Sequence, residues 1–338
     1  GEPMTAPWLS VLMPTYNGAA YLDAALESVV AERDSEIECI AVDDGSTDDT
    51  LDILRGFQDR LDLQIVERPH VGNWVANTNL ALHQARGGFA CLLHQDDLWL
   101  PGRLERMRAA IARHPDVDLF LHPAWFVDPD GRRLGPWRCP LPPDPSVLGP
   151  DTVLPRLLVQ NFIAIPAPLF RVASGRACGG LDESLWYTAD WDFWLKMAAS
   201  GRTVYHPTPL CCFRIHGQAQ TLTRSHDAAA FKAQHEMVVD RYGPSLTGTS
   251  PRIDGVVAVA HFSVAMNTAL AALYHGQKAG LSALFLAWMR LGPAGWVRYF
   301  RWSRIRERVV ARILAGRNAR RSTEPSAAAL TDLSITQD

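Results

Sequence analysis

Four times between residues 9 and 113 a short apolar run gives way to loop chemistry and then to helical spacing, and this rhythm constrains the fold more than anything else in the chain. Leu9-Ser10-Val11-Leu12-Met13 reads as a strand stopped by Pro14. After the loop Thr15-Tyr16-Asn17-Gly18 come Tyr21, Leu22, Ala25, Leu26 and Val29 on one helical face. A second strand over 37–42 ends in Asp43-Asp44-Gly45-Ser46, where a hydroxyl and the acids Asp48 and Asp49 open another helix. A third strand over 63–66, a helix over 73–85 and a fourth strand over 89–93 complete the series. Such alternation predicts a mostly parallel sheet wrapped by helices, an α/β fold.

The fourth strand runs into His94-Gln95-Asp96-Asp97-Leu98-Trp99-Leu100-Pro101. Two adjacent carboxylates then stand at the carboxyl end of a buried strand, where open α/β sheets bind ligands. Like charges so close call for a cation, and a divalent ion holding a diphosphate suits them. The structural alternative is that the pair caps a helix starting near Pro101. No Gly-x-Gly-x-x-Gly follows the first strand and no Gly-x-x-x-x-Gly-Lys occurs, which argues against a dinucleotide-binding domain and a phosphate-loop ATPase.

Further on, a helix over 101–113, a strand over 117–121 and an Asp128-Pro129-Asp130-Gly131 turn between short strands are predicted, then an irregular loop over 135–150 and a helix capped by Asp151. Trp186 to Leu195 leads from a loop into a helix, and 210–213 is a last strand delivering Arg214-Ile215-His216. From about Asp227 the pattern is helical only. The expected division is a catalytic unit over 8–225, a helical extension over 226–316 and a disordered polar tail over 317–338.

Several fragments, in this order, resemble the family-2 glycosyltransferases of the GT-A fold. They are Val11-Leu12-Met13-Pro14-Thr15-Tyr16-Asn17, Val42-Asp43-Asp44-Gly45-Ser46-Thr47-Asp48, the Asp96-Asp97 pair, Gly179-Gly180-Leu181-Asp182-Glu183, Ala189-Asp190-Trp191-Asp192 and Arg214-Ile215-His216. The resemblance implies transfer of a sugar from a nucleoside diphosphate donor, a UDP-sugar for preference, with inversion at the anomeric carbon. It implies a nucleotide site at Pro14, Thr15, Tyr16, Asn17, Asp43, Asp44, His94 and Gln95, and an Mn²⁺ or Mg²⁺ ligand at Asp96. His94 stands where relatives carry an acid that holds the ribose, a departure from their pattern. Asp190 matches the base, Asp192 reads as structural, and His216 is either a further metal ligand or a satisfied loop histidine.

The chemistry suits these residue types. A cation on a carboxylate neutralises a departing diphosphate, and direct inversion needs a base for the acceptor hydroxyl. Trp125, Asn161, Trp186, Tyr187 and Trp191 are candidates for the acceptor cleft, since aromatic faces and amides suit a glycan or a lipid head. Asn77 and Asn79 either reach the nucleotide or lie on the surface.

Residues 288–321 hold ten arginines and one glutamate, so the net charge of −3 conceals a +9 arm on an acidic body. An amphipathic helix over 296–314 is predicted, with Trp302, Ile305, Val309 and Ile313 on one side and Arg301, Arg304, Arg308 and Arg312 alongside. It either lies on an anionic membrane, docks on the body or makes a homodimer contact, and no recognition motif accompanies it that would suggest nucleic acid. No run of eighteen apolar residues and no secretory signal is apparent, and the six cysteines show no zinc spacing, with Cys39 and Cys91 reading as core residues. The expected location is a reducing cytoplasm, with peripheral attachment to the inner face of the membrane as a variant. The acceptor expected is a hydroxyl of a bacterial surface glycan or glycoconjugate. Alternatives are a polyprenyl-phosphate glycosyltransferase and a non-catalytic nucleotide-sugar-binding protein.

Overall fold

A computed structural model describes residues 5–216, 227–246, 253 and 255–323. The first strand, β1 (Leu9–Thr15), is buried along its whole length, as is β2 (Ile37–Asp43). Both pair in parallel, and β2 pairs in parallel with β3 (Leu63–Glu67). The chain then returns to the other side of β1, where β4 (Phe89–Leu92) runs parallel to it. Strands buried on both faces need helices above and below, and the chain supplies them as α1 (Leu22–Val30), α2 (Thr50–Gly56) and α3 (Trp74–Gln84). In α1 Leu22, Ala25, Leu26 and Val29 point inward at the expected spacing. Asn73 caps α3, accepting the N–H groups of Val75 and Ala76.

Beyond β4 the chain makes the short β5 (Leu98–Trp99) and then α4 (Arg103–Arg113), capped by Gly102 rather than by either aspartate. β6 (Leu119–Leu121), β7 (Ala124–Val127), β8 (Arg133–Trp137) and β9 (Val147–Leu148) follow, with Asp128–Gly131 forming the expected turn between β7 and β8. Helix α5 (Pro150–Val159) starts from Gly149 with a proline in its first turn, so Asp151 lies inside the helix and does not cap it. Then come β10 (Leu169–Arg171), α6 (Val172–Ala177), α7 (Ala189–Ser200), β11 (Thr203–Tyr205) and β12 (Cys211–Arg214).

The main sheet has the order β3-β2-β1-β4-β10-β6-β11-β9, with β10 antiparallel to β4 and β6. A smaller sheet, β5-β12-β7-β8, stands beside it. The order reverses at β1, so a crevice opens beyond the carboxyl ends of β1 and β4.

The rest of the described chain is helical: α8 (Ala228–Tyr242), α9 (Val256–Tyr274), α10 (Leu281–Ser303) and α11 (Ile305–Thr323). Val238, Val239, Val256, Phe262 and Tyr299 join the same hydrophobic cluster as Leu12, Leu92 and Trp194 of the α/β part. Among the described residues one helix, α9, is long and apolar enough to cross a membrane. It packs on α5, α8 and α10 and buries Val259, Ala260 and Phe262.

The single amphipathic helix expected over 296–314 is instead two helices. The chain breaks at Arg304, whose φ of 51° and ψ of 29° are left-handed, and α10 itself is interrupted at Gly292. The turn at Arg304 lays α11 across β8, where Ala311 is buried beside Phe126 and Leu134 and where Glu307 pairs with Arg138. Ile305 is buried and Trp302 and Val309 pack on the core. α11 runs past residue 317 to Thr323, with Asn318 donating to Asp128, and residues 324–338 of the expected tail lie outside the described residues.

Candidate active site

A cleft of about 460 Å³ lies at the switch point. Its floor is the end of β1 (Pro14, Thr15, Tyr16) and the segment after β4 (His94, Gln95, Asp96, Asp97). Gln95 ties these two segments together, since its amide accepts the Tyr16 N–H at 2.9 Å and donates to the Tyr16 carbonyl at 2.9 Å. The Tyr16 ring stacks on His70, 4.3 Å between centroids, which makes one aromatic wall.

The two acids after β2 have different positions. Asp43 is fully buried and accepts from the Thr15 hydroxyl, the Ser46 hydroxyl and the Ser46 N–H, so it holds the loop and does not line the cleft. Asp44 does line it. Burial works against its ionisation, but the N–H groups of Val71 and Gly72, with Asn77 and His70, hold its carboxyl below the ordinary value. Asn77 lines the cleft beside Asp44, while Asn79 fixes the Gly180–Leu181 loop by donating to the Leu181 carbonyl and accepting its N–H. Asn17, exposed and at positive φ, accepts from Thr47 and does not line the cleft.

Asp96 and Asp97 diverge. Asp96 faces the cleft and accepts from His216 Nε2 at 2.7 Å. Burial would raise its pKa, yet the His216 hydrogen bond and the nearby His94 outweigh that and lower it. Asp97 turns inward, with one oxygen accepting the Arg214 N–H and the other, buried, unpartnered. Its burial, and then the charge of Asp96, push its carboxyl well above the ordinary range. His94 packs edge-on against Trp74, and its pKa is lowered by burial.

Arg214 belongs to this cluster although sequence reasoning did not assign it a role. Its guanidinium donates to the carbonyls of Asp96, Asp128 and Pro129 and lies over the Tyr21 ring, so it holds the Asp96 turn against the β7–β8 turn. Strand alternation puts Arg214 and His216 on one side of the chain, a signal that would have found it.

Asp190 lines the cleft from the first turn of α7, with Thr188 as the capping residue. Burial lifts its pKa to about 6, moderated by the Trp191 N–H and by Asn161, whose amide donates to Oδ2 at 3.0 Å. Asp192, two residues on, is fully buried and held by Arg241 and Tyr242 of α8, which makes it a structural anchor as expected.

Of the aromatic candidates, Trp186 and Tyr187 line the cleft, with both backbone N–H groups donating to Gln234. Trp125 does not line it and instead sits under the Arg133 guanidinium. Trp191 is buried, donating to the Leu157 carbonyl. The cleft is walled by Trp74, Trp137 and Phe213, which the sequence pattern did not distinguish from core.

Among the described residues no three His, Cys, Asp or Glu side chains surround one point. The donor set at Asp96 is a carboxylate and an imidazole whose Nδ1 is buried and unpartnered. His216 stands behind Asp96 and outside the cleft lining, so the carboxylate is the group that faces the cleft, and one carboxylate fits a cation that completes its shell with water and diphosphate oxygens, the usual manner of Mg²⁺ with nucleotides.

The fold is that of a GT-A glycosyltransferase. The chain is similar to S. aureus TarS 1-349, with 19% identity, a TM-score of 0.51 and coverage of 77% of this chain and 80% of that one. It is also similar to the mannosyltransferase PcManGT from Pyrobaculum calidifontis, in complex with GDP-Man and Mn²⁺, at 16% identity, a TM-score of 0.53 and coverage of 93% and 88%. The family model for glycosyl transferase family 2 matches residues 10–152. A PGL/p-HBAD biosynthesis glycosyltransferase of Mycobacterium bovis is 35% identical over 192 residues, 56% of this chain and 69% of that protein. An uncharacterized glycosyltransferase of Rickettsia typhi is 26% identical over 239 residues, 68% and 70%. The chain belongs to glycosyl transferase family 2.

Proposed function

We propose that the protein moves a sugar, with inversion, from a UDP-sugar to a hydroxyl of a glycan or glycoconjugate of the bacterial surface. The observation that carries this reading is that one cleft is lined both by Asp96, whose carboxylate is held from behind by His216, and by Asp190, a carboxylate lifted to about 6. A base of that pKa is ionised at neutral pH yet still basic enough to take a proton from an attacking hydroxyl. A polyprenyl-phosphate acceptor, already ionised, has no proton to give up, so the placement of Asp190 favours a hydroxyl acceptor over that alternative.

Tyr16 and His70 offer the base a stacking wall, and Asp44 and Asn77 offer it hydrogen bonds. His94 takes the ribose side. Asp96, with His216 behind it, would hold Mn²⁺ or Mg²⁺, which when bound supplies Lewis-acid neutralisation of the departing diphosphate. Asn161 orients Asp190, and Trp137, Trp186, Tyr187 and Phe213 offer flat faces to the acceptor. Structures similar to this chain were obtained with UDP-GlcNAc and with GDP-Man, so the nucleotide itself must be measured.

The test is turnover of UDP-, GDP- and dTDP-sugars with Mn²⁺ or with EDTA, for wild type, Asp96→Ala and Asp190→Asn. Metal-dependent UDP-sugar turnover is expected, reduced at least a hundredfold in Asp96→Ala, with Asp190→Asn binding donor but inactive. Full activity of Asp190→Asn, or no binding of any nucleotide sugar, overturns the reading.

A further inference from the structure

The helical region carries an apolar face that no described residue covers. α10 opens with nine residues, 281–289, that hold no charge. Leu284, Ala287, Trp288 and Leu291 pack inward on the core. Leu281, Phe285, Leu286 and Met289 point the other way and are 60%, 62%, 56% and 52% exposed. A helix apolar on all sides belongs inside a core or against lipid, and this one has only half of its circumference covered. Past the break at Gly292, Val297 and Phe300 are also open, 65% and 59% exposed. Leu273 and Tyr274, at the end of the neighbouring α9, are open as well.

Charge selects the occupant. Arg290 and Arg301 of this helix are exposed, and among the described residues neither forms an ion pair with a carboxylate. A symmetric second copy would set against each other two helices that carry arginines and no acid over 281–303, with nothing on this face to offset the charge. An anionic bilayer accepts both components, the side chains entering the acyl boundary and the guanidinium groups meeting lipid phosphates.

We infer that the outer face of α10, from Leu281 to Phe300, is a docking surface for an anionic membrane. This places the contact N-terminal to the stripe anticipated from sequence, whose members Trp302, Ile305 and Val309 face the protein. It is independent of the donor and of the catalytic residues, and a protein docked in this way meets an acceptor held at a lipid surface.

The experiment is co-sedimentation of the full chain with phosphatidylcholine vesicles that contain, or lack, anionic phosphatidylglycerol. Phe285→Glu/Phe300→Glu and Arg290→Gln/Arg301→Gln are compared with wild type, and sedimentation velocity without lipid runs in parallel. Wild type is expected to bind anionic vesicles at least tenfold better than neutral ones. Each double variant is expected to lose tenfold or more while keeping its donor turnover. No wild-type binding, equal binding by the Phe variant, or a wild-type dimer that the Phe variant dissociates would each overturn the proposal. Since vesicle binding and donor turnover are read separately, failure here is distinguishable from failure of the catalytic reading.

Discussion

Asn161 donates its side-chain amide to Asp190 Oδ2 at 3.0 Å, joining the loop after α5 to the first turn of α7 across the cleft. The bond favours the ionised carboxylate, against the burial that lifts its pKa to about 6. If Asp190 is the base, kcat/KM rises with pH through about 6 and then levels. Asn161→Ala removes a stabiliser of the charged form, so its acid limb moves to higher pH while donor binding is kept. A pH–rate profile of the two proteins checks this, and an unmoved limb would deny Asn161 a positioning role.

The same carboxyl links stability to pH. Its ordinary value is 3.8 and its value in the fold about 6, so the folded state holds the proton more tightly. The stability this contributes is present below about pH 4 and is lost as pH rises through 6. By linkage the loss is about 3 kcal/mol, an upper figure for a side chain partly open to the cleft. Asp190→Asn should therefore raise Tm relative to wild type at pH 8 and not at pH 4, although the variant is inactive. Calorimetry at the two pH values gives the comparison.

Gly18 packs against the clasp that Gln95 makes on Tyr16. A methyl group on Gly18 would stand 2.3 Å from Gln95 Cδ and Oε1, so Gly18→Ala must displace that side chain. Gln95→Ala removes the two hydrogen bonds outright. With about 1 kcal/mol for each bond, about 2 kcal/mol for the pair, both variants should raise donor KM by up to about thirtyfold with a smaller change in kcat. Steady-state kinetics in donor concentration decide the point.

Arg241 reaches from α8 to Asp192 at 2.8 Å and to Asp182 at 3.0 Å. Asp192 is fully buried, and without Arg241 it keeps only the Tyr242 hydroxyl and Lys196 Nζ at 3.4 Å, so its charge is left partly compensated. Arg241→Ala should cost about 2–4 kcal/mol in urea unfolding, and the double variant Arg241→Ala/Asp192→Asn should recover part of that. An additive double variant would show that the two residues act independently.

The parallel core was legible because it rests on local pattern. β1, β2 and β4 are continuous apolar runs, and α1 keeps four apolar residues on one face, so each element declares itself within ten residues. The positions of the Asp96-Asp97 pair and of Asp190 were legible for a related reason, since the pair follows β4 and Asp190 opens α7, element ends that set their place at the cleft. Which acid of a pair faces the ligand was not legible. Asp43 is taken up by Thr15 and Ser46, and Asp97 by Arg214, through partners up to 117 residues away.

The sequence by itself determined the alternation of strands and helices, the crevice at the strand ends and the residue types placed there, because hydrophobic period and turn chemistry act over short stretches. Only the tertiary structure decided that Arg214, His70, Trp137 and Phe213 join the site, that Trp125 and Trp191 stay out of it, and that the basic arm folds at Arg304 onto β8. Those outcomes depend on which distant surfaces meet, and burial against a neighbour rather than periodicity selects the face that each side chain shows.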